Sequence, residues 1–422
     1  MPEIVGCGCD VRTQTARLSV LAAMSSNLAI PGWQLLVWLV AALQAIGLAV
    51  VIVRLLPGRN RVPAVAPGDA SSVGSSERVS VVVPARNEGA RIAPCLDGLL
   101  AQDSAMGEAI FVDGNSTDDT VARIDAVTAR DARIRRIAEP PRTAGTVGRP
   151  WAIAAGCRAA QGEWILVVDA DVAPCRGMVA GAVAAARANA LDVVSFSPRI
   201  LAPTAGARFL QPAFVITLVY RFGAAGAATD AADRVIANGQ CLLMRASILE
   251  QHGGYEIAAS SFCDDIRIVR HLAEHGARVG FLDGTRLFDV LMYRDAAETW
   301  RGWPRSLNMR DATRPLWRWV DSALLVLAQG LPVPLLAVAL FVGVTGGGHG
   351  LGALLGVNAA LLLIRVLLLF AIAPSFARRG VPFWMSPLAD PLAALRVVET
   401  TIRRPREWRG MATPIPRAKS PG

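Results

Sequence analysis

The sequence predicts an α/β layer protein with a mainly parallel sheet and flanking helices, joined to transmembrane helices. Three observations predict it. Short β-branched runs alternate with helical patterns between residues 78 and 198. The acids Asp113, Asp169 and Asp171 fall at the ends of predicted strands, where such sheets bind ligands. Long uncharged apolar blocks lie on both sides of this region.

The chain has 422 residues, 53% of them hydrophobic and 18% charged. Its mean hydropathy of +0.40 is high for a soluble protein, whose charged fraction is usually nearer a quarter. Trp33 to Val53 carries no charge over 21 residues, enough to cross a hydrocarbon core of ~30 Å. It runs into Arg54, Arg59 and Arg61 rather than a small-residue cleavage site, so a retained anchor over 33–56 is expected instead of a signal peptide. Residues 1–32 form a tail before it. Ala323–Val344 and Leu351–Ala373 are two further apolar blocks around the short uncharged turn "TGGGHG", predicting a transmembrane hairpin over 321–374. Arg365 is tolerable there only against protein or by snorkelling. Val381–Val397 is broken by Pro382, Pro387 and Pro391 and carries Asp390. It reads as an interfacial segment, followed within 375–422 by a basic tail.

The net charge is +9. Arginines follow the first span (54, 59, 61), precede the hairpin (301, 305, 310, 314, 318) and follow it (378, 379, 403, 404, 406, 409). One span out-to-in and a hairpin afterwards put them all on the cytoplasmic side. Basic residues at membrane edges, without a recognition motif, argue for anionic lipid and against nucleic acid. The seven cysteines are scattered and form no CxxC pair, which reads as reduced thiols in a cytosolic domain.

Along the chain, residues 57–76 are a Pro/Gly/Ser linker. "RVSVVVP" is a buried strand. Glu88–Ala101 is a helix with Ile92, Leu96, Leu99 and Leu100 on one face. "EAIFVD" is a second strand, "STDDTVARIDAVTAR" a helix with a Ser/Thr/Asp start, and "RIRRIA" a third strand. Trp151–Ala160 is helical, "EWILVVD" is a fourth strand, Gly177–Ala190 an Ala-rich helix and "DVVSFSP" a fifth strand. The domain so defined spans 77–295. Residues 296–320 form an amphipathic interfacial segment. "RFLQPAFVITLVYRFG" is too short and charge-flanked to span, and is expected to dip toward the membrane surface.

Asp169 and Asp171 flank Ala170, so strand alternation points them the same way. Two carboxylates at one point repel unless a cation joins them. Hard oxygen ligands suit Mg²⁺ or Mn²⁺, usually completed by substrate phosphates. A solvated turn after a strand is the plainer reading of such a pair.

In order, "SVVVPARNEGARI", "FVDGNSTDDT", "GRPWAIAAGCRAAQGE", "GEWILVVDADV", "ANGQCLLMR", "HGGYE" and "DDIRI" resemble the family-2 inverting glycosyltransferases with the GT-A nucleotide-sugar-binding fold. The resemblance covers about 210 residues, Val79 to Arg294. It implies a UDP-sugar donor and a divalent metal. It places the nucleotide against Pro84, Ala85, Arg86, Asn87, Glu88 and Asp113, with Gly114 where a second acid is usual. Arg149 stands in the family's basic position and would suit a phosphate. Asp171 matches the direct metal ligand, with Asp169 supporting the ribose or the metal. The family's Glu-Asp base motif is Asp264-Asp265 here, so Asp265 is the expected catalytic base, taking a proton from the acceptor hydroxyl. Acids at a helix start also favour the dipole, so Asp264 could cap while Asp265 reacts. The QxxRW of polymer-making members is absent. Trp300, Arg301, Trp303 and Arg305 form a comparable cluster, read either as acceptor-facing or as interfacial tryptophans at headgroup level. "HLAEH", His271 to His275, fits H-x-x-E-H, but its helix follows the expected base in a transferase layout, so no zinc site is expected.

"NGQCLLMR", "MYR", "TWRGWPRSL" and "EWRG" are similar to membrane glycosyltransferases associated with carotenoid or hopanoid glycosylation. That implies hexose transfer to a hydroxyl or carboxyl of a lipid or isoprenoid acceptor at the cytoplasmic leaflet of the cell membrane. A polyprenyl-phosphate glycosyltransferase or a polysaccharide synthase is the alternative within enzymes. A non-catalytic membrane scaffold that kept the fold is the alternative outside them.

Overall fold

The first apolar block forms one long helix, α1 (Gly32–Leu55). A sheet domain follows: β1 (Val79–Ala85), α2 (Ala93–Leu100), β2 (Met106–Asp113), α3 (Thr120–Thr128), β3 (Ile134–Ala138), α4 (Gly148–Ala159), β4 (Trp164–Val168), β5 (Val172–Pro174), α5 (Met178–Ala188), β6 (Val193–Ser197) and β7 (Arg199–Ile200). Then come α6 (Ala205–Phe222), β8 (Cys241–Arg245), α7 (Ala246–Gln251), α8 (Asp264–Glu274), β9 (Val279–Asp283), β10 (Phe288–Val290) and α9 (Ala296–Leu307). Last are α10 (Pro315–Leu325), α11 (Pro332–Thr345), α12 (Leu351–Ile372), α13 (Val381–Trp384) and α14 (Asp390–Ile402). This computed structural model describes residues 32–72, 78–227, 231–307, 313–345 and 350–402, with the pieces 407–408 and 411–412. Cys7, Cys9, Arg310, the middle of the Gly-rich turn and the arginines of the basic tail lie outside the described residues.

The main sheet runs β3-β2-β1-β4-β8-β6-β9. β1 pairs in parallel with β2 and β4, β2 with β3, and β6 with β9. Its central strands are buried on both faces, as a helix-covered parallel sheet requires. Pro84 is compatible with a central strand because β4 pairs β1 only from Val79 to Val82, so no ladder bond to β4 is missing. One departure from the parallel expectation is β8, which is antiparallel to both β4 and β6. "CLLMR" is apolar without alternation, and so short a run has no distinctive period. α4 presses on the sheet at Gly156, where an added Cβ would stand 2.3 Å from Val82 Cγ1.

Helix ends are tighter than expected. Residues 88–92 turn before α2, because Pro94 prefers the first turn. The segment after α1 is not a free linker. Val62, Val65 and Gly68 donate backbone bonds to Gly226, Asp283 and Gly177, at 2.9, 2.8 and 2.9 Å. A low-complexity composition hid a strap whose amides find partners on the domain.

By length and composition, α1 with its extension to Asn60 and α12 with its extension to Ser375 could each cross a membrane. The block between them is not one straight helix. Pro315–Gly330 and Pro332–Gly343 are bent by 45°, with a π-turn at Val326–Gly330. Pro332 has no N–H and clashes with the preceding turn, which accounts for the bend. The bent pair would make a third span if it crosses.

α6 joins the two halves. Its residues pack with α9, α10, α12 and α14 in one apolar cluster holding Leu210, Phe214, Leu325, Leu369 and Val397. Inside that junction Arg365 faces protein. Its Nε donates to Asp390 Oδ2 at 2.7 Å, and Gln329 donates to Asp390 Oδ1 at 3.2 Å. Both ion-pair side chains are 3% exposed or less. The Pro-broken segment is therefore anchored by its acid. Removing one partner of a buried pair strands the other charge, at about 3–5 kcal/mol. Asp390→Ala should lower stability by that order in detergent unfolding, and Arg365→Leu with Asp390→Leu should lose less than the single change.

Candidate active site

A cavity of about 890 Å³ opens at the carboxyl ends of β1 and β4. β1 ends in Pro84 and Ala85, followed by Arg86 and Glu88. β4 is followed by Asp169, Ala170 and Asp171, and α8 begins with Asp264 and Asp265. All nine line the cavity. Strand alternation and the helix start thus bring four acids together, which needs a compensating cation.

Arg149, in the first turn of α4, supplies it. Its Nε and Nη2 donate to Asp169 Oδ1 at 2.9 and 2.8 Å. Its Nη1 donates to Asp264 Oδ2, and its Nη2 to the Gly239 carbonyl at 2.7 Å. Burial alone would lower its pKa. Asp169 and Asp264 outweigh that and hold the guanidinium well above its ordinary value. Asp264 also accepts from Tyr255 Oη at 2.8 Å. Burial, and then Asp264, push the Tyr255 phenol well up, so it stays a donor.

Asp265 is held differently. Oδ2 accepts from the Gly239 N–H and Oδ1 from the Ile266 N–H, both at 2.8 Å. Burial and the neighbouring Asp264 push its carboxyl up to about 6, against the lowering by Arg149 and the two amides. A carboxylate with that value is a competent base near neutral pH.

Asn87 and Asp113 are not in the cavity wall. Asn87 sits at φ 54, a left-handed conformation that Asn tolerates, and accepts from the Thr117 N–H at 2.8 Å. Asp113 accepts from the Ser116 N–H at 3.2 Å. Both order the loops behind the wall. Of the Trp/Arg cluster, Arg301 lines the cavity. Trp303 is fully buried among residues of α6, α10, α12, α13 and α14, which corrects the expectation of a ring at headgroup level. Trp300 lies under the Arg396 guanidinium, 4.2 Å from ring centre to Cζ. Arg305 lies on the same helix. In "HLAEH", His271 Nε2 and the His252 carbonyl are 3.1 Å apart, a helix-end contact.

Sequence reasoning missed two residues. Tyr255 lies in the quoted "HGGYE" without a role. Glu139, just past β3, lines the cavity, and burial raises its carboxyl despite Arg142. A Cβ at Gly114 would stand 2.9 Å from Glu139 Oε2. The carboxylate absent at 114 is matched in space by one from β3, a non-local pairing with no sequence signal.

The cavity is also lined by Phe214 and Leu218 of α6, Met292, and Leu368, Ala371 and Ile372 of α12. Charged and apolar side chains thus share one cavity. Among the described residues no group of three His, Cys, Asp or Glu could hold a metal by itself. Asp171 and Asp169, with both Arg149 bonds of Asp169 on Oδ1, fit a divalent cation that takes its other oxygens from substrate phosphates and water.

Residues 80–253 match the glycosyl transferase family 2 model. A glycosyltransferase, GlyG, of Streptococcus pneumoniae is 35% identical over 96 residues, covering 23% of this chain and 31% of that protein. The succinoglycan biosynthesis protein ExoO of Rhizobium meliloti is 39% identical over 130 residues, 29% of this chain and 36% of its own length. The chain thus spans about a third of these curated relatives. The mannosyltransferase of Pyrobaculum calidifontis, solved with GDP-Man and Mn²⁺, superposes with a TM-score of 0.53 at 20% identity, over 85% of this chain and 97% of that one. That likeness shows a shared GT-A fold.

Arg149→Ala should destabilise the domain by about 3 kcal/mol in thermal unfolding, because it leaves Asp264 and Asp169 without their cation. Arg149→Lys should recover little, since a single ammonium cannot serve three acceptors in a planar fork.

Proposed function

From a family-2 glycosyltransferase domain at residues 80–253, we propose that this chain transfers a hexose from a nucleotide-diphosphate sugar, a UDP-sugar, to a lipid or isoprenoid acceptor with inversion. The observation that carries it is the cavity itself: Asp169, Asp171 and Asp265 line it together with apolar side chains of α6 and α12.

In this reading the nucleotide lies along Pro84–Glu88, with Arg86 and Glu139 beside it. Glu139 accepts hydrogen bonds from the base or ribose. A divalent cation held by Asp171 and Asp169 would supply Lewis-acid neutralisation of the diphosphate. Arg149 holds Asp169 and Asp264 in place rather than reaching the phosphates. Asp265 takes the proton of the acceptor hydroxyl as its oxygen attacks the anomeric carbon on the face opposite the diphosphate. The carbon–oxygen bond to the diphosphate breaks, and the nucleoside diphosphate leaves with the electron pair. The apolar lining of the cavity receives the acceptor's hydrocarbon part, so only its polar head reaches Asp265. In this reading the domain faces the cytoplasmic side of the cell membrane, which the arginines at the helix ends support. Carotenoid-like or hopanoid-like acceptors fit the apolar lining.

Protein in nanodiscs of total lipid extract, given UDP-sugars with Mg²⁺ or Mn²⁺, should make a glycolipid detectable by mass spectrometry. Asp171→Ala and Asp265→Asn should each lose it by a factor of about 10²–10⁴. The base works deprotonated, so kcat/KM should rise with pH through about 6 and then level. A profile already flat from pH 4 would remove Asp265 from that role. Nucleotide release that is absent with every donor, and indifferent to both substitutions, would favour the scaffold.

A further inference from the structure

We propose that a second, smaller cleft between α8, the 231–235 segment and the start of α10 binds the phosphate of an anionic phospholipid headgroup. This site is separate from the sugar-transfer cavity and does not depend on that activity. The cleft holds about 110 Å³ and is lined by Arg234, Arg270 and Arg314, by Asp233 and Glu274, and by Trp317. A water occupies about 30 Å³ of liquid, so the space suits one small polar group.

Among the described residues its charge is not balanced. Behind the cleft, Arg54, Arg221 and Arg234 all converge on the one carboxylate of Asp321, at 3.0, 3.4 and 3.7 Å. Asp321 is 1% exposed. Arg221 Nη1 is buried with no hydrogen-bond partner. Cleft and back wall together place five arginines against three carboxylates. Three guanidiniums on a single acid leave positive potential that an added anion would neutralise. Arg234 is also fixed in orientation, with Cζ 5.4 Å from the Trp317 ring centre and 5.7 Å from that of Phe222.

The surroundings say what kind of anion. Arg54 ends α1, whose last turns expose Ile52 and Val53, followed by Leu56. Beside the cleft α10 exposes Leu316, Trp317, Trp319 and Val320. A soluble anion has no use for these side chains, whereas acyl chains below a headgroup do. Arginine pockets between apolar helices, with tryptophans at the same level, are the chemistry of an anionic lipid headgroup.

The test uses the full chain in phosphatidylcholine nanodiscs with or without phosphatidylglycerol, released into native mass spectrometry. Phosphatidylglycerol should stay bound in preference to phosphatidylcholine. Arg314→Gln, at an exposed position, should cut its retention about fivefold, as loss of one arginine near the surface predicts. Arg234→Gln should cut it at least as far, and Arg267→Gln, elsewhere on the surface, should not. Should Arg234→Gln fail to fold, Arg314→Gln still decides. Equal retention of both lipids, or retention indifferent to both cleft variants, overturns the site. Inorganic phosphate that raises the thermal midpoint in lipid-free detergent as much as phosphatidylglycerol does would also overturn it, by assigning the cleft to a free anion. Flotation with phosphatidylcholine vesicles reads membrane association separately.

Discussion

One guanidinium holds the candidate site together. The ends of β4 and α8 bring Asp169, Asp171, Asp264 and Asp265 to one cavity, and four acids at that spacing would force the elements apart. Arg149 pairs with two of the four, Asp169 and Asp264. Its planar fork reaches Asp169, Asp264 and the Gly239 carbonyl at once, so it joins α4, the β4 end, the loop before β8 and the start of α8. The sequence family's basic position is thus used here to organise carboxylates. The diphosphate of the proposed donor would meet Arg86 and a cation instead.

The same logic of a buried charge shared between elements recurs where the domain meets the apolar helices. Arg365 and Asp390 close the junction of α12 and α14, and Gln329 and Thr217 extend that polar cluster into α6, with Thr217 Oγ1 3.1 Å from Gln329 Oε1. Because α6 carries Phe214 and Leu218 into the cavity on one side and these bonds on the other, the apolar lining of the cavity is fixed relative to α12. The apolar helices and the acids of the candidate site are then packed through α6 into one arrangement.

Much of this was legible from residue order. The β-branched runs gave strands whose ends carry acids, and the motif order gave the resemblance that the family model matches over residues 80–253. The uncharged stretches gave α1 and α12. What stayed hidden depends on contacts distant in sequence. β8 enters antiparallel because a five-residue apolar run carries no direction. The strap at 61–68 looked like a linker because its bonds are made by backbone amides, to which composition is blind. Trp303 looked interfacial because amphipathic spacing on α9 does not say whether the apolar face meets lipid or α6 and α14. Glu139 had no motif at all: its place at the cavity follows from β3 pairing with β2, which brings it beside Gly114.

Asp264 and Asp265 show how adjacent, chemically identical groups acquire different properties. Asp264 receives a guanidinium and a phenol, both on Oδ2. Asp265 receives two backbone amides, which orient it without neutralising it. Burial and the neighbouring Asp264 raise its affinity for a proton. Arg149 works against that rise while its own bonds go to Asp169, Asp264 and the Gly239 carbonyl. Two adjacent, identical side chains are set apart by what donates to them: side chains to one, backbone amides to the other.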